Sequence, residues 1–101
     1  MTMQARIRWI RADEGGRPSP PPGPTYSTVA RFEGQTEETW LKEAWSLILE
    51  LEGQPDQKFS QLANVRFLSE EGPVDWLAPG KIFALYEGFR KVAEGIVLSN
   101  S

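Results

Sequence analysis

The sequence predicts an all-β domain of six strands, a closed barrel or a sandwich. Three observations carry this. Short runs of β-forming residues alternate apolar with polar positions along the chain. Gly- and Pro-rich turn signals separate these runs. Lys81 to Leu98, KIFALYEGFRKVAEGIVL, reads as a terminal β-hairpin, with arms from Ile82 to Tyr86 and from Arg90 to Leu98. Six strands left open expose two edges, and closure into a barrel removes them.

The first strand is expected over Ala5 to Ala12, with Ile7 and Trp9 on one face and Arg6 and Arg8 opposite. Ile10 interrupts the alternation. Asp13 to Pro24 reads as a long loop, because Gly15-Gly16 turns the chain and five prolines exclude a helix or a central strand. Pro18 and Pro21 satisfy P-x-x-P, the pattern of a ligand for proline-recognising domains. The simpler reading is a stiff crossover between the first two strands.

Tyr26 to Phe32 is the second strand, with Tyr26, Thr28, Ala30 and Phe32 on one face. Thr36 to Glu52 fits two periods. Trp40, Ala44, Ile48 and Leu51 fall at helical spacing, whereas Trp45, Leu47, Leu49 and Leu51 alternate with other residues. The reading splits it into a turn or short helix at Glu37 to Glu43 and a third strand from Ala44 to Leu51. Gly53 to Gln57 is a turn, and the fourth strand shows in Ala63 to Leu68. Val74 to Leu77 fits one helical turn before Pro79-Gly80. Glu87-Gly88-Phe89 reverses the chain between the last two strands, with Gly88 free to take a positive φ. One domain accounts for all 101 residues.

The net charge of −3 is unevenly spread: residues 1–31 carry +3 and the rest −6. The overall sign argues against tight non-specific nucleic-acid binding. Apolar runs fall short of a membrane span, and the N-terminus lacks the apolar core of a signal peptide, so the expected compartment is the cytoplasm. The chain has no Cys and no His, which removes the usual nucleophile, general base and zinc ligands. Paired carboxylates at Glu37-Glu38 and Glu70-Glu71 have the residue type of an acid–base pair, but their polar flanks fit a solvated surface. The expectation is a chain that is not an enzyme and takes no cofactor or metal.

The hairpin resembles the last hairpin of the C-terminal barrel of elongation factor Tu. Ala84, Glu87, Gly88, Arg90, Val92, Gly95 and Val97 match that family's pattern without gaps. Glu14-Gly15-Gly16-Arg17 is similar to the family's Glu-Gly-Gly-Arg, after an opening strand and before a proline-containing loop. The resemblance implies an all-β, stand-alone six-stranded antiparallel β-barrel and a binding surface at Glu87, Gly88, Phe89, Arg90, Glu14, Gly15, Gly16 and Arg17. In the translation factors this barrel packs on a GTPase domain and helps hold the T-stem of tRNA. Tyr86 stands where the family has Arg, and Phe89 where it has Gly; the first change removes a phosphate-pairing charge. No phosphate-cradle motif occurs, so GTP binding is not expected. The partner expected is a protein, with RNA as the alternative and a small ligand at the barrel mouth behind both. Trp9 and Trp45 are expected in the core, whereas Trp40, Trp76 and Phe89 are contact candidates. Arg6, Arg8, Arg11, Arg17 and Arg31 are candidates for a basic strip.

Overall fold

In the computed structural model, which describes residues 2–100, the chain forms a closed antiparallel barrel. Its strands are β1 (Met3–Trp9), β2 (Thr25–Phe32), β3 (Trp45–Glu52), β4 (Ser60–Phe67), β5 (Ile82–Glu87) and β6 (Arg90–Asn100). One helix, α1 (Glu37–Lys42), lies between β2 and β3. Single 3₁₀ turns occupy Ala12–Glu14 and Val74–Leu77.

The order around the barrel is β1-β4-β3-β2-β5-β6, closing on β1. β2, β3 and β4 form a meander, and β5 and β6 form a hairpin. The two remaining connections, β1 to β2 and β4 to β5, each join strands on opposite sides of the barrel. Each crosses one open end. The proline-rich segment is therefore a crossover, as its stiffness suggested, with Pro21 buried and unable to serve an intact P-x-x-P ligand. The β4–β5 connection crosses the other end and seats Leu77, 3% exposed, on the core.

Alternation fills the interior. Met3, Ala5, Ile7 and Trp9 of β1 are buried, as are Leu47 and Leu49 of β3 and Phe83 and Leu85 of β5. Two irregularities in β6 help the sheet curl. Leu85 faces Ala93 while Tyr86 faces Lys91, which leaves Val92 extra; Gln4 faces Ser99 while Ala5 faces Val97, which leaves Leu98 extra.

Several boundaries differ from the sequence reading. β1 ends at Trp9, not Ala12: Ile10 still donates to the Val92 carbonyl at 2.9 Å, but Ala12 already lies in a 3₁₀ turn. β4 begins at Ser60, earlier than the apolar run suggested. Glu87 belongs to β5 and faces Arg90, so the hairpin turn is Gly88-Phe89 alone, with Gly88 at φ 63°. The split of Thr36 to Glu52 matches the structure. Thr36 caps α1 by accepting from the Thr39 amide at 3.1 Å, while the Thr39 hydroxyl accepts from the Thr36 amide at 2.9 Å.

Two tryptophans exchange their expected places. Trp40 is buried, 6% exposed, because α1 folds back on the barrel wall and the indole Nε1 donates to the Ala30 carbonyl at 3.0 Å. Trp45 is only half-buried, because Ala30–Trp45 is the last pair of the β2–β3 ladder and the ring sits at the barrel rim, edge-on to Phe67. Its Nε1 is shielded with no protein hydrogen-bond partner among the described residues. Trp76 is half-buried against Phe32, their ring centroids 5.4 Å apart. Trp40→Phe should therefore cost about 1–2 kcal/mol more than Trp45→Phe, which removes equal volume but an unpaired donor. Urea unfolding midpoints of the two variants, at equal slopes, check this; equal losses refute it.

Candidate functional site

The two sequence segments singled out as binding candidates meet at one end of the barrel. Residues 14–17 come from the β1–β2 crossover and residues 87–90 from the β5–β6 turn. They are joined by a charged bond: Arg17 Nη1 donates to Glu87 Oε2. Arg17 Nε also donates to the Ser19 carbonyl at 3.1 Å, which fixes the guanidinium from both sides.

Glycine makes this approach. Gly16 donates to the Arg11 carbonyl at 2.9 Å, and a Cβ built on it would lie 2.0 Å from the Ile10 carbonyl oxygen. A side chain there forces the loop off the strand end and carries Arg17 with it.

Tyr26, at the start of β2, completes the cluster. Its hydroxyl donates to the same Glu87 oxygen at 2.5 Å, and its ring lies 5.5 Å from the Arg17 guanidinium carbon. Trp9 meets the ring edge-on at 5.4 Å. Trp9 in turn donates to Gln61 Oε1 at 2.7 Å, and Gln61 Nε2 donates to the Gly53 carbonyl at 3.3 Å. The buried Gln61 is thus satisfied, and the core tryptophan is oriented under the tyrosine.

The cluster lies on a seam. β2 pairs with β5 only from Val29 to Phe32, so Thr25 to Thr28 face the end of β5 without a ladder. Side chains bridge this gap: the Thr28 hydroxyl donates to the Tyr86 carbonyl, and Tyr26 and Arg17 hold Glu87. Burial, with the Glu87 bond behind it, pushes the Tyr26 hydroxyl up to about 12. The bond from Tyr26, followed by that from Arg17, holds the Glu87 carboxyl below its ordinary range.

Beyond the seam the hairpin tip is free. Phe89 is 83% exposed. Its ring stands edge-on to Trp40, 6.5 Å between centroids, and Trp40 packs on Tyr86 at 4.7 Å. Arg31 lies 5.7 Å from the Trp40 ring. Arg90 and Gly88 are exposed beside Phe89, and Glu14 and Gly15 are exposed on the crossover. Of the eight candidates, Arg17 and Glu87 are brought into contact, Gly16 is buried, and the other five reach solvent.

The five arginines do not form one strip. Arg6 and Arg8 lie on the outer face of β1, whereas Arg11 stacks on Phe59 at 4.5 Å, Arg17 is held at Glu87 and Arg31 stacks by Trp40. Sequence reading missed Tyr26 and Thr28 as parts of this end, and it named Trp40 as a contact candidate where the structure buries it beneath Phe89 and Tyr86. The only signal was that Tyr26 and Thr28 share a strand face; which strand they border depends on the barrel order. Comparison with protein-family models, with curated proteins and with solved structures gives no match in any of the three.

The pKa directions predict the pH dependence of stability. A lowered Glu87 contributes stability that is present above the ordinary carboxyl pKa of 4.5 and lost as pH falls through the folded value. Asp56 and Glu94 are lowered too, by backbone amides of Ser60 and Lys58 and by bonds from Lys91 and Arg8 respectively. Glu87→Gln should therefore reduce, without abolishing, the loss of urea midpoint below pH 4.5. A raised Tyr26 contributes stability that is present below pH 10 and lost as pH rises towards about 12. Tyr26→Phe should flatten that alkaline limb. Arg17→Ala should cost about 1 kcal/mol at neutral pH, the low side for a charge-assisted bond between partly exposed groups. Unchanged acid and alkaline limbs in these variants would show that the seam bonds do not form in solution.

Proposed function

We propose that this chain is a non-catalytic binding module that acts through protein–protein contacts, with the hairpin tip and the neighbouring crossover as its contact surface. The observation that carries the reading is Phe89. A large aromatic side chain is 83% exposed at the tip of a two-residue turn, where a small polar residue satisfies the backbone equally well. Its ring stands edge-on to Trp40, which packs on Tyr86, so the tip adjoins further aromatic surface. Arg90 beside it supplies a cation, and exposed aromatic and arginine side chains are the residue types that dominate protein interfaces.

The hairpin and Glu-Gly-Gly-Arg resemblances to the elongation factor Tu C-terminal barrel support a module of this kind, without the GTPase domain that the family's barrel packs against. Trp9, Phe83, Leu47 and Leu49 fill the interior, which weighs against a small ligand carried inside the barrel. RNA is the alternative partner. It is the weaker reading because Arg17, the crossover's cation, is already bonded to Glu87.

The test compares immobilised wild-type protein with Phe89→Ala in lysate of the source cell, with and without ribonuclease. The expected result is a protein retained by the wild type, lost at least about tenfold with Phe89→Ala, and indifferent to ribonuclease; a tenfold loss corresponds to roughly 1.4 kcal/mol, an ordinary value for an aromatic interface residue. Retention that ribonuclease removes favours RNA. Identical retention by both proteins, or none by either, overturns the proposed surface.

A further inference from the structure

One inward position of the barrel is polar. Alternation along β4 points Gln61, Ala63, Val65 and Phe67 at the interior, and the last three are apolar core. Gln61 takes the place at the end crossed by the proline-rich segment, and it is 5% exposed. Trp9 accounts for half of this choice. Its indole needs an acceptor, and Gln61 Oε1 supplies one at 2.7 Å. The amide nitrogen is not needed for that bond. It carries two hydrogens: one goes to the Gly53 carbonyl at 3.3 Å, and the other has no acceptor among the described residues.

Gln61 also lines a hollow of about 290 Å³ between the crossover and the β3–β4 turn. Pro21, Pro22 and Pro24 come from the crossover, and Gln54 and Pro55 from the turn. The proline rings are rigid and carry no N–H. No residue lining the hollow is charged, and its only polar side chains are two carboxamides, Gln61, buried, and Gln54, exposed. The hollow lies outside the packed core, because Gln61 bonds to Trp9 and faces the hollow as well. At the roughly 30 Å³ that a water takes in the liquid, the volume suits a molecule of about ten non-hydrogen atoms.

We propose that this hollow binds a small, flat, uncharged carboxamide, its carbonyl oxygen taking the spare hydrogen of Gln61 Nε2 and its ring lying against the prolines. An ionised ligand loses hydration there and meets no counter-charge. A hydrocarbon leaves the Gln61 hydrogen unpaired. Proline rings and flat aromatic rings pack well on each other, the contact by which aromatic grooves recognise proline-rich segments; here the prolines belong to the host. Their rigidity sets the walls before a ligand arrives, which lowers the ordering cost of binding. No residue of the hairpin-tip surface lines the hollow, so either reading stands or falls alone.

The probe is benzamide, titrated into ¹⁵N-labelled protein and followed by two-dimensional NMR. Saturable shifts in the millimolar range are expected for the Gln61 side-chain amide pair and for the backbone amides of Gly23, Gly53 and Gln54. Benzoate, which keeps the ring and adds a charge, binds about tenfold more weakly, and so does acetamide, which keeps the amide and lacks the ring. Gln61→Met, close in shape and without the N–H, weakens benzamide about tenfold, whereas Phe89→Ala leaves the affinity unchanged. Should Gln61→Met disturb Trp9 and the fold, the wild-type titration decides alone, because the shifts must include the Gln61 amide pair. Shifts that are absent, that do not saturate, or that spare Gln61 overturn the proposal. So does equal binding of benzoate or acetamide, or undiminished binding by a folded Gln61→Met.

Discussion

One carboxylate, that of Glu87, closes the weakest part of the barrel wall. The backbone ladder between β2 and β5 covers four residues of β2 and stops, because β5 ends in its hairpin while β2 begins further out. A sheet left splayed there exposes Trp9 and strands backbone groups of Tyr86. Glu87 gathers Tyr26 from β2 and Arg17 from the crossover onto one oxygen, and Thr28 takes the Tyr86 carbonyl. The end of β5 and two segments 70 and 61 residues before it are held by one charge. Partial burial makes that charge costly unless both donors are present, which is why loop, strand and hairpin tip are mutually dependent.

The same economy governs the two ends. Each is crossed by a connection between opposite strands, one rigid through its prolines and the other through a 3₁₀ turn that plants Leu77 in the core. Such crossings fill the mouths that a six-stranded barrel otherwise leaves open. Cations are used in two ways. Arg11, Arg17 and Arg31 lie on aromatic rings of the chain itself, where they pack as much as they charge. Arg6 lies on no aromatic ring among the described residues, and Phe89 is left largely to solvent.

Strand identity was legible because alternation is a local property. Ile7 and Trp9, or Leu47 and Leu49, face one way whatever lies opposite, and burial follows. The capping pair Thr36 and Thr39 likewise set the start of α1 from within one turn. Trp40 and Trp45 were not legible. Both are tryptophans near the same strand start, and their burial is decided by where α1 folds and where the β2–β3 ladder stops. The candidate site was half legible. The Gly-containing turns at 15–16 and 87–89 stood out, but nothing in either predicts that Arg17 spends its charge on Glu87, or that a tyrosine from a third segment joins them.

The sequence by itself determined the strand periods, the turn positions and the exclusion of helix from the proline-rich crossover, because each depends on the sterics and solvation of neighbouring residues. Tertiary structure alone decided the order of strands around the barrel. From that order follow the short β2–β5 seam, the carboxylate that bridges it and the exposure of Phe89. Those pairings join residues tens of positions apart, and local preference carries no information about which distant strand will lie alongside.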